Sequence, residues 1–234
     1  MRVKKIIKNL LYNSPLETSL NTKLRYEPIV RRLISLKRKN KRLKVLEVGS
    51  GSKGVTRFYK HPVIGMDVYF QDIGTKYLKK IKSSADSKFP FDDGKFDVVI
   101  SVDTLEHIVK EKRKIMLSEM LRVSSKYILL SCPVSITNWD KKVLRNWPVD
   151  SPTYKNIKEH EDLGIPTPGE IEGNLSGCRY VKTYGQSSKL AYYIKYLERN
   201  LLGKLFARTF LKLLYPLLLK FTSKSRVVYF VVKN

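Results

Sequence analysis

The hydrophobic and polar positions of this chain follow two rhythms. Short apolar runs recur at VLEV (45–48), PVIGMDV (62–68), FDVVIS (96–101), YILLSCPV (127–134), CRYVKTY (178–184) and RVVYFVV (226–232). Runs of this length rich in β-branched and aromatic residues predict strands, and the continuous ones predict strands covered on both faces. Elsewhere the apolar spacing lengthens and predicts helices over 23–39, 55–60 and 104–123. The last of these carries Leu105, Ile108, Val109, Met116, Met120 and Leu121. Residues 69–95 follow neither rhythm. Residues 135–178 are polar and rich in Pro, Gly and Asn, which predicts loop and short helix over the C-terminal edge of the sheet.

Alternating strands and helices imply a parallel sheet with right-handed crossovers, a doubly wound Rossmann-like α/β fold. The chain divides into basic helices over 1–42, a core over 43–186, a helical insert over 187–222 and a final core strand over 223–234. With 234 residues, 42% of them hydrophobic, it is long enough for one sizeable core. A charged fraction of 29% with 11% aromatics excludes wholesale disorder. Cys132 and Cys178 lie far apart and outside any C-x-x-C spacing, which suits reduced thiols in the cytoplasm.

Charge changes the picture more than composition does. The net charge is +25, and it is concentrated at the two ends. Residues 1–44 hold fourteen Lys/Arg against Glu17 and Glu27, and residues 185–234 hold ten against Glu198. Such flanks attract phosphate, in lipid headgroups or in nucleic acid. The opening MRVKKIIKNLLYNSP is no secretion signal, because Lys8 and Asn9 break its apolar run. Val3, Ile6, Ile7, Leu10 and Leu11 instead fall on one face of an amphipathic helix. In the insert, Leu202, Leu205, Phe206, Phe210, Leu213, Leu214, Leu217 and Leu218 form an apolar stripe. Lys204, Arg208 and Lys212 lie opposite, and Pro216 kinks or ends the first helix. The uncharged LLYPLLL is too short to span a bilayer, but a basic amphipathic helix suits a membrane interface. Segments 1–11 and 199–221 are therefore candidates for peripheral membrane contact, with RNA as the less favoured phosphate-bearing partner.

Candidate chemistry sits in KVLEVGSGSKGVTRFY (44–59). A strand runs into Gly49, Gly51 and Gly54, and Asp67 follows at the spacing of a ribose-binding acid. Nicotinamide and methyl-donor folds share such a turn, because a backbone without Cβ approaches a nucleotide closely. Two further stretches discriminate. Glu47 stands two residues before Gly49, where an acid suits a cationic sulfonium amino acid better than a pyrophosphate. The second is FPFDDGKFDVVISVDTLEHI, 89–108. Over about 43–134 the chain resembles the class I S-adenosylmethionine-dependent methyltransferases that carry E-x-G-x-G and LPF…FD…LEH. Lys53 stands where that family often has a third glycine.

The resemblance implies a seven-stranded sheet, methyl transfer, and S-adenosylmethionine as cofactor. By position it places Gly49, Ser50 and Gly51 along the methionine part of the cofactor and Glu47 near its amino group. Asp67, with Val68 beside it, takes the ribose hydroxyls; Asp86 and Ser87 face the adenine; the backbone near Val102 holds the amino group. His107, in LEHI, and His160, in KEHEDLGIPTPGEIE (158–172), are the candidate general bases. No cluster has metal-ligand spacing along the sequence, so no metal is implied. The expected acceptor is a small molecule, a lipid or a lipid-linked glycan at the inner face of the membrane. The alternatives are an RNA methyltransferase using the basic flanks and a non-catalytic module that keeps the fold for binding. The intact Glu47, Gly49, Gly51 and Asp67 set argues against the last.

Overall fold

The computed structural model describes residues 19–198, 202–203, 206 and 213–234. The predicted helix at 3–11 lies outside them, as do Leu205, Phe210 and the basic positions Lys204, Arg208 and Lys212 of the insert.

The buried apolar runs become the middle of a seven-stranded sheet. Its strands are β1 (Val45–Val48), β2 (Val63–Asp67), β3 (Leu78–Lys82), β4 (Phe96–Val102), β5 (Ser124–Pro133), β6 (Arg179–Gln186) and β7 (Thr222–Val232). Their spatial order is β3-β2-β1-β4-β5-β7-β6. β1 to β5 pair in parallel, whereas β7 runs antiparallel between β5 and β6. The order reverses beside β1, the switch point at which open α/β sheets leave a crevice.

Alternation along the strands divides the core between two faces. Leu46, Val48, Val99, Ile128 and Leu130 face α2 (Lys110–Val123) through Met116, Leu117 and Met120. Val45, Val98, Ile100 and Leu129 face α1 (Leu20–Lys39) through Ile29, Val30, Leu33 and Leu36. The first helix is thus packed on the core it precedes. Ser19 caps α1 by accepting from Asn21 N at 3.1 Å, and the Glu198 carboxylate accepts from Leu20 N at 3.0 Å. An acid at a helix N-terminus is favoured by the amides and dipole there.

The structure corrects four expectations. The segment expected as helix over 55–60 is one 3₁₀ turn, Gly54–Arg57, because the glycine turn leaves too little chain before β2. The helix expected over 104–123 breaks at Ile108 into a 3₁₀ turn, Leu105–His107, and α2. Residues 69–95 contain β3, whose LKKIK is an edge strand and so carries little apolar pattern. Residues 135–178 are mainly helical: α3 (Asn138–Asn146), α4 (Pro152–Leu163) and α5 (Pro168–Asn174). Thr137, Ser151 and Thr167 each cap one of them through the side-chain oxygen.

Of the insert, α6 (Ser188–Leu197) and a single turn α7 (Tyr215–Leu218) are described, and Pro216 lies in the first turn of α7. Leu218 is buried against Leu20, Leu24 and Ile194. Leu202 and Leu213 are about four-fifths exposed at 79% and 80%, and Phe206, Leu217 and Phe221 are also exposed. Among the described residues, no helix is long and apolar enough to cross a membrane.

Candidate active site

The site forms where β1, β2 and β4 end. Gly49 N and Ser50 N donate to Met66 O at 2.8 and 3.3 Å, which ties the turn to β2. Gly49 has φ +71°, and a Cβ there would lie 2.0 Å from Thr104 Oγ1. Gly51 has φ +53°, yet nothing lies within 4 Å of where its Cβ would stand. The turn is therefore packed at one glycine and faces open space at the other.

Strand alternation turns Glu47 to the α1 side, beneath the glycine turn, with its carboxylate bonded to protein groups. It is fully buried; Oε2 accepts from Val55 N at 2.7 Å and Oε1 from the Tyr26 hydroxyl at 3.2 Å. Burial pushes its carboxyl up to about 8, against the lowering effect of those two bonds. A Cβ on Gly54, at φ +47°, would lie 2.0 Å from its Oε2. Glu47 and Gly54 thus fit together as the floor of the turn.

Asp67 closes the other side. Its Oδ2 accepts from Gly51 N at 2.7 Å and its Oδ1 from Tyr69 N at 3.2 Å. An ionised carboxylate offers about four lone-pair positions, so two remain for a ligand. A cleft of about 450 Å³ opens here, lined by Gly49, Asp67, Val68, Asp86, Asp103 and His107 among others. That size suits a nucleoside-bearing cofactor. Asp86 accepts from Lys112 Nζ at 2.8 Å and from the Ser84 hydroxyl, and these bonds hold its carboxyl below the usual range.

The remaining predicted contacts lie off the lining. Ser50 is buried, its hydroxyl donating to Gly51 O at 2.9 Å. The Ser87 hydroxyl donates to Ser84 O at 3.4 Å. Val102 is buried at the end of β4 and hands the chain to Asp103, a non-glycine residue at φ +55°. That backbone turn projects the Asp103 carboxylate between Arg25 of α1 and Arg226 of β7, which pair with its two oxygens. Burial opposes its charge, but Arg226 and Arg25 outweigh burial and hold the carboxyl down to about 2.

The two candidate bases are brought together. His107 Nδ1 lies 3.0 Å from Glu159 Oε2, and His107 Nε2 lies 3.4 Å from His160 Nε2. Burial, then the nearby His107, pull His160 down to about 4, so it is neutral at pH 7. Arg113, a residue with no sequence signal, fixes this arrangement. Its buried guanidinium donates to Leu163 O and Gly164 O at the end of α4, and its Nε donates to Ile108 O at 3.0 Å.

Beyond the histidines lies a second cavity of about 200 Å³, which shares Asp103 and His107 with the cofactor cleft. Its lining includes four side chains with buried polar atoms that have no hydrogen-bond partner among the described residues: Asn21 Oδ1, Arg25 Nε, Glu106 Oε2 and both amide atoms of Gln186. Sequence spacing gave no sign that Glu106, His107 and His160 would cluster, yet each places a ligand-bearing atom within 4.8 Å of the others.

Residues 46–127 match the methyltransferase-domain family. Over that stretch, which runs from β1 into β5, the chain is similar to methyltransferase domains. Solved structures agree in fold at low identity. The methyltransferase domain superposes on the CurJ carbon methyltransferase with a TM-score of 0.56 at 14% identity, covering 97% of this chain and 58% of that one. An S-adenosylmethionine-dependent methyltransferase from Archaeoglobus fulgidus gives 0.53 at 15% identity, over 98% and 99%. The plantazolicin methyltransferase BpumL, solved with a desmethyl-plantazolicin analogue and S-adenosylhomocysteine, gives 0.54 at 14%, over 99% and 90%. No curated protein matches the chain in sequence. The nicotinamide reading of the glycine turn is thereby set aside.

Proposed function

We propose that this methyltransferase acts on a hydroxyl of a sugar-like acceptor, as in a lipid-linked glycan, at the cytoplasmic face of a membrane. The observation that carries the reading is the second cavity. It meets the cofactor cleft at Asp103 and His107, and it presents unsatisfied donors and acceptors from Asn21, Arg25 and Gln186. Buried polar groups without partners are costly, and a polyhydroxylated ligand supplies both hydrogen-bonding senses at once.

The cofactor brings a methyl group already activated on its sulfonium, so the protein's task is largely positional. Asp67 is placed to accept from the ribose hydroxyls with its free lone pairs, and Asp86 to meet the adenine amine. The Gly49–Gly51 turn lets backbone approach the methionine part. In this reading the acceptor hydroxyl lies at the junction beside His107, which Glu159 orients from behind, and His160.

Membrane presentation rests on the basic ends and on the exposed Leu202, Phe206, Leu213, Leu217 and Phe221. Apolar side chains beside cationic ones suit an anionic lipid surface. The deciding experiment follows transfer of labelled methyl from S-adenosylmethionine to a panel of lipid-linked glycans, free oligosaccharides and RNA. Sedimentation with vesicles of phosphatidylglycerol and phosphatidylcholine is measured beside it. Transfer to glycan and vesicle binding that outlasts added salt support the reading. Transfer to RNA alone, with binding that vanishes steeply as salt rises, overturns it.

A further inference from the structure

We propose that Glu106, His107 and His160 bind one divalent transition-metal ion, zinc or a metal of similar ligand preference, at the junction of the two cavities. The three residues reach this point from different elements. Glu106 and His107 belong to the 3₁₀ turn after β4, and His160 comes from the third turn of α4. Each offers one ligand-bearing atom within 4.8 Å of the other two.

The histidine pair has the spacing of two ligands to one ion. Their Nε2 atoms stand 3.4 Å apart, long for a hydrogen bond. Two nitrogens each about 2.1 Å from a tetrahedral ion lie roughly 3.4 Å apart. The rings are tilted by 59° with centroids 4.8 Å apart, so they are not stacked face to face. Glu159, 3.0 Å from His107 Nδ1, fixes the tautomer that leaves Nε2 bare. A carboxylate behind a histidine ligand is the usual outer support of a metal site.

Glu106 supplies the second, independent observation. It is 1% exposed, it lines the second cavity, and among the described residues its Oε2 has no partner. A cation removes that deficit. Asp103 is nearby, but Arg25 and Arg226 occupy both its oxygens, so it takes no part as a ligand. Two imidazoles and one carboxylate favour zinc, cobalt, nickel or iron over magnesium or calcium. A fourth position opens to the second cavity, where an acceptor oxygen could bind; that last point alone rests on the acceptor reading above.

The test uses the untagged full chain, stripped with a chelator and titrated with Co²⁺, with S-adenosylhomocysteine affinity measured in parallel. One equivalent of Co²⁺ with visible absorption bands of a nitrogen-ligated ion, displaced by Zn²⁺, is expected. His160→Ala and Glu106→Gln each weaken Co²⁺ binding at least about tenfold, and Glu159→Gln weakens it roughly 10–100-fold. S-adenosylhomocysteine binding and circular dichroism stay as in the parent, which establishes that the variants are folded. Absence of Co²⁺ bands, or bands unchanged in both His160→Ala and Glu106→Gln, overturns the site. None of these readings uses turnover, so a wrong acceptor leaves them untouched.

Discussion

Arg25 of the first helix and Asp103 at the end of β4 form an ion pair across the mouth of the active site, and Arg226 of β7 completes it from the opposite side. Removing the one anion strands two guanidiniums, so Asp103→Asn lowers stability by about 3–5 kcal/mol. The pH dependence has a definite sign. A carboxyl held down to about 2 stabilises the fold above its ordinary value of 3.8, and that contribution is lost as pH falls toward 2. Unfolding free energies from urea melts between about pH 6 and pH 2 therefore drop by roughly 2 kcal/mol more in the parent than in Asp103→Asn.

Gly51 and Gly54 separate binding from folding. Both have positive φ, but only Gly54 would drive a Cβ into Glu47. Gly51→Ala costs about 1 kcal/mol of backbone strain and places a methyl group in open space beside the cleft. It lowers S-adenosylhomocysteine affinity while leaving melting nearly unchanged. Gly54→Ala adds a buried clash and costs more than about 2 kcal/mol. Calorimetric titration beside thermal melts distinguishes the two; equal stability losses would refute the packing argument.

Glu47 gives stability a second slope with pH, of opposite sign. Its carboxyl is raised by burial to about 8, so the fold gains most from it below the ordinary carboxylate pKa and loses that gain as pH rises through 8. Glu106 is raised by burial and by Asp103, and acts in the same direction. Glu47→Gln keeps the shape and removes the titration, and thermal melts between about pH 5 and pH 9 decline less steeply for it. Glu47→Ala leaves the Val55 amide unsatisfied and costs about 1–3 kcal/mol.

Asp67 carries two backbone bonds as well as its proposed ribose contacts. Asp67→Asn keeps one acceptor oxygen and loses the charge, whereas Asp67→Ala loses everything. Charge-assisted hydrogen bonds are worth about 1.5–3 kcal/mol each, so Asp67→Ala weakens S-adenosylhomocysteine binding by roughly a hundredfold. Asp67→Asn falls between. Isothermal titration calorimetry checks the order, and an Asn variant weaker than Ala would show that the clamp on Gly51, not the ribose, governs affinity.

What the sequence made legible follows from burial. VLEV, FDVVIS and RVVYFVV are covered on both faces, so their patterns are unmistakable and fix the middle of the sheet. LKKIK at 78–82 became an edge strand with Lys79 and Lys82 exposed, and no apolar rhythm marked it. The helices between 135 and 178 bury only a few side chains, such as Val143, Ile157 and Ile171. Their caps were nevertheless written in the chain: Thr137 with Asp140, Ser151 before Pro152, and Thr167 before Pro168 with Glu170. In the site, Gly49, Asp67, Asp86 and His107 could be placed from motif position. Glu47 could not, because which face of β1 it occupies depends on where α1 packs. The proximity of Glu106 to His160 spans α2, β5 and α3, a distance no local spacing encodes.

The position of β7 sets the order in which this site is made during synthesis. β7 is the last strand of the chain, yet it is inserted between β5 and β6, and it brings Arg226 to Asp103. Until it docks, β5 lacks one neighbour, β6 has none, and Asp103 faces Arg25 alone. The glycine turn needs only β1 and β2, so it can form while the acceptor side is still open. Closing a loop of more than a hundred residues between Asp103 and Arg226 is then a late entropic step. The nucleoside-binding half can therefore form first, and the acceptor half only once β7 is in place.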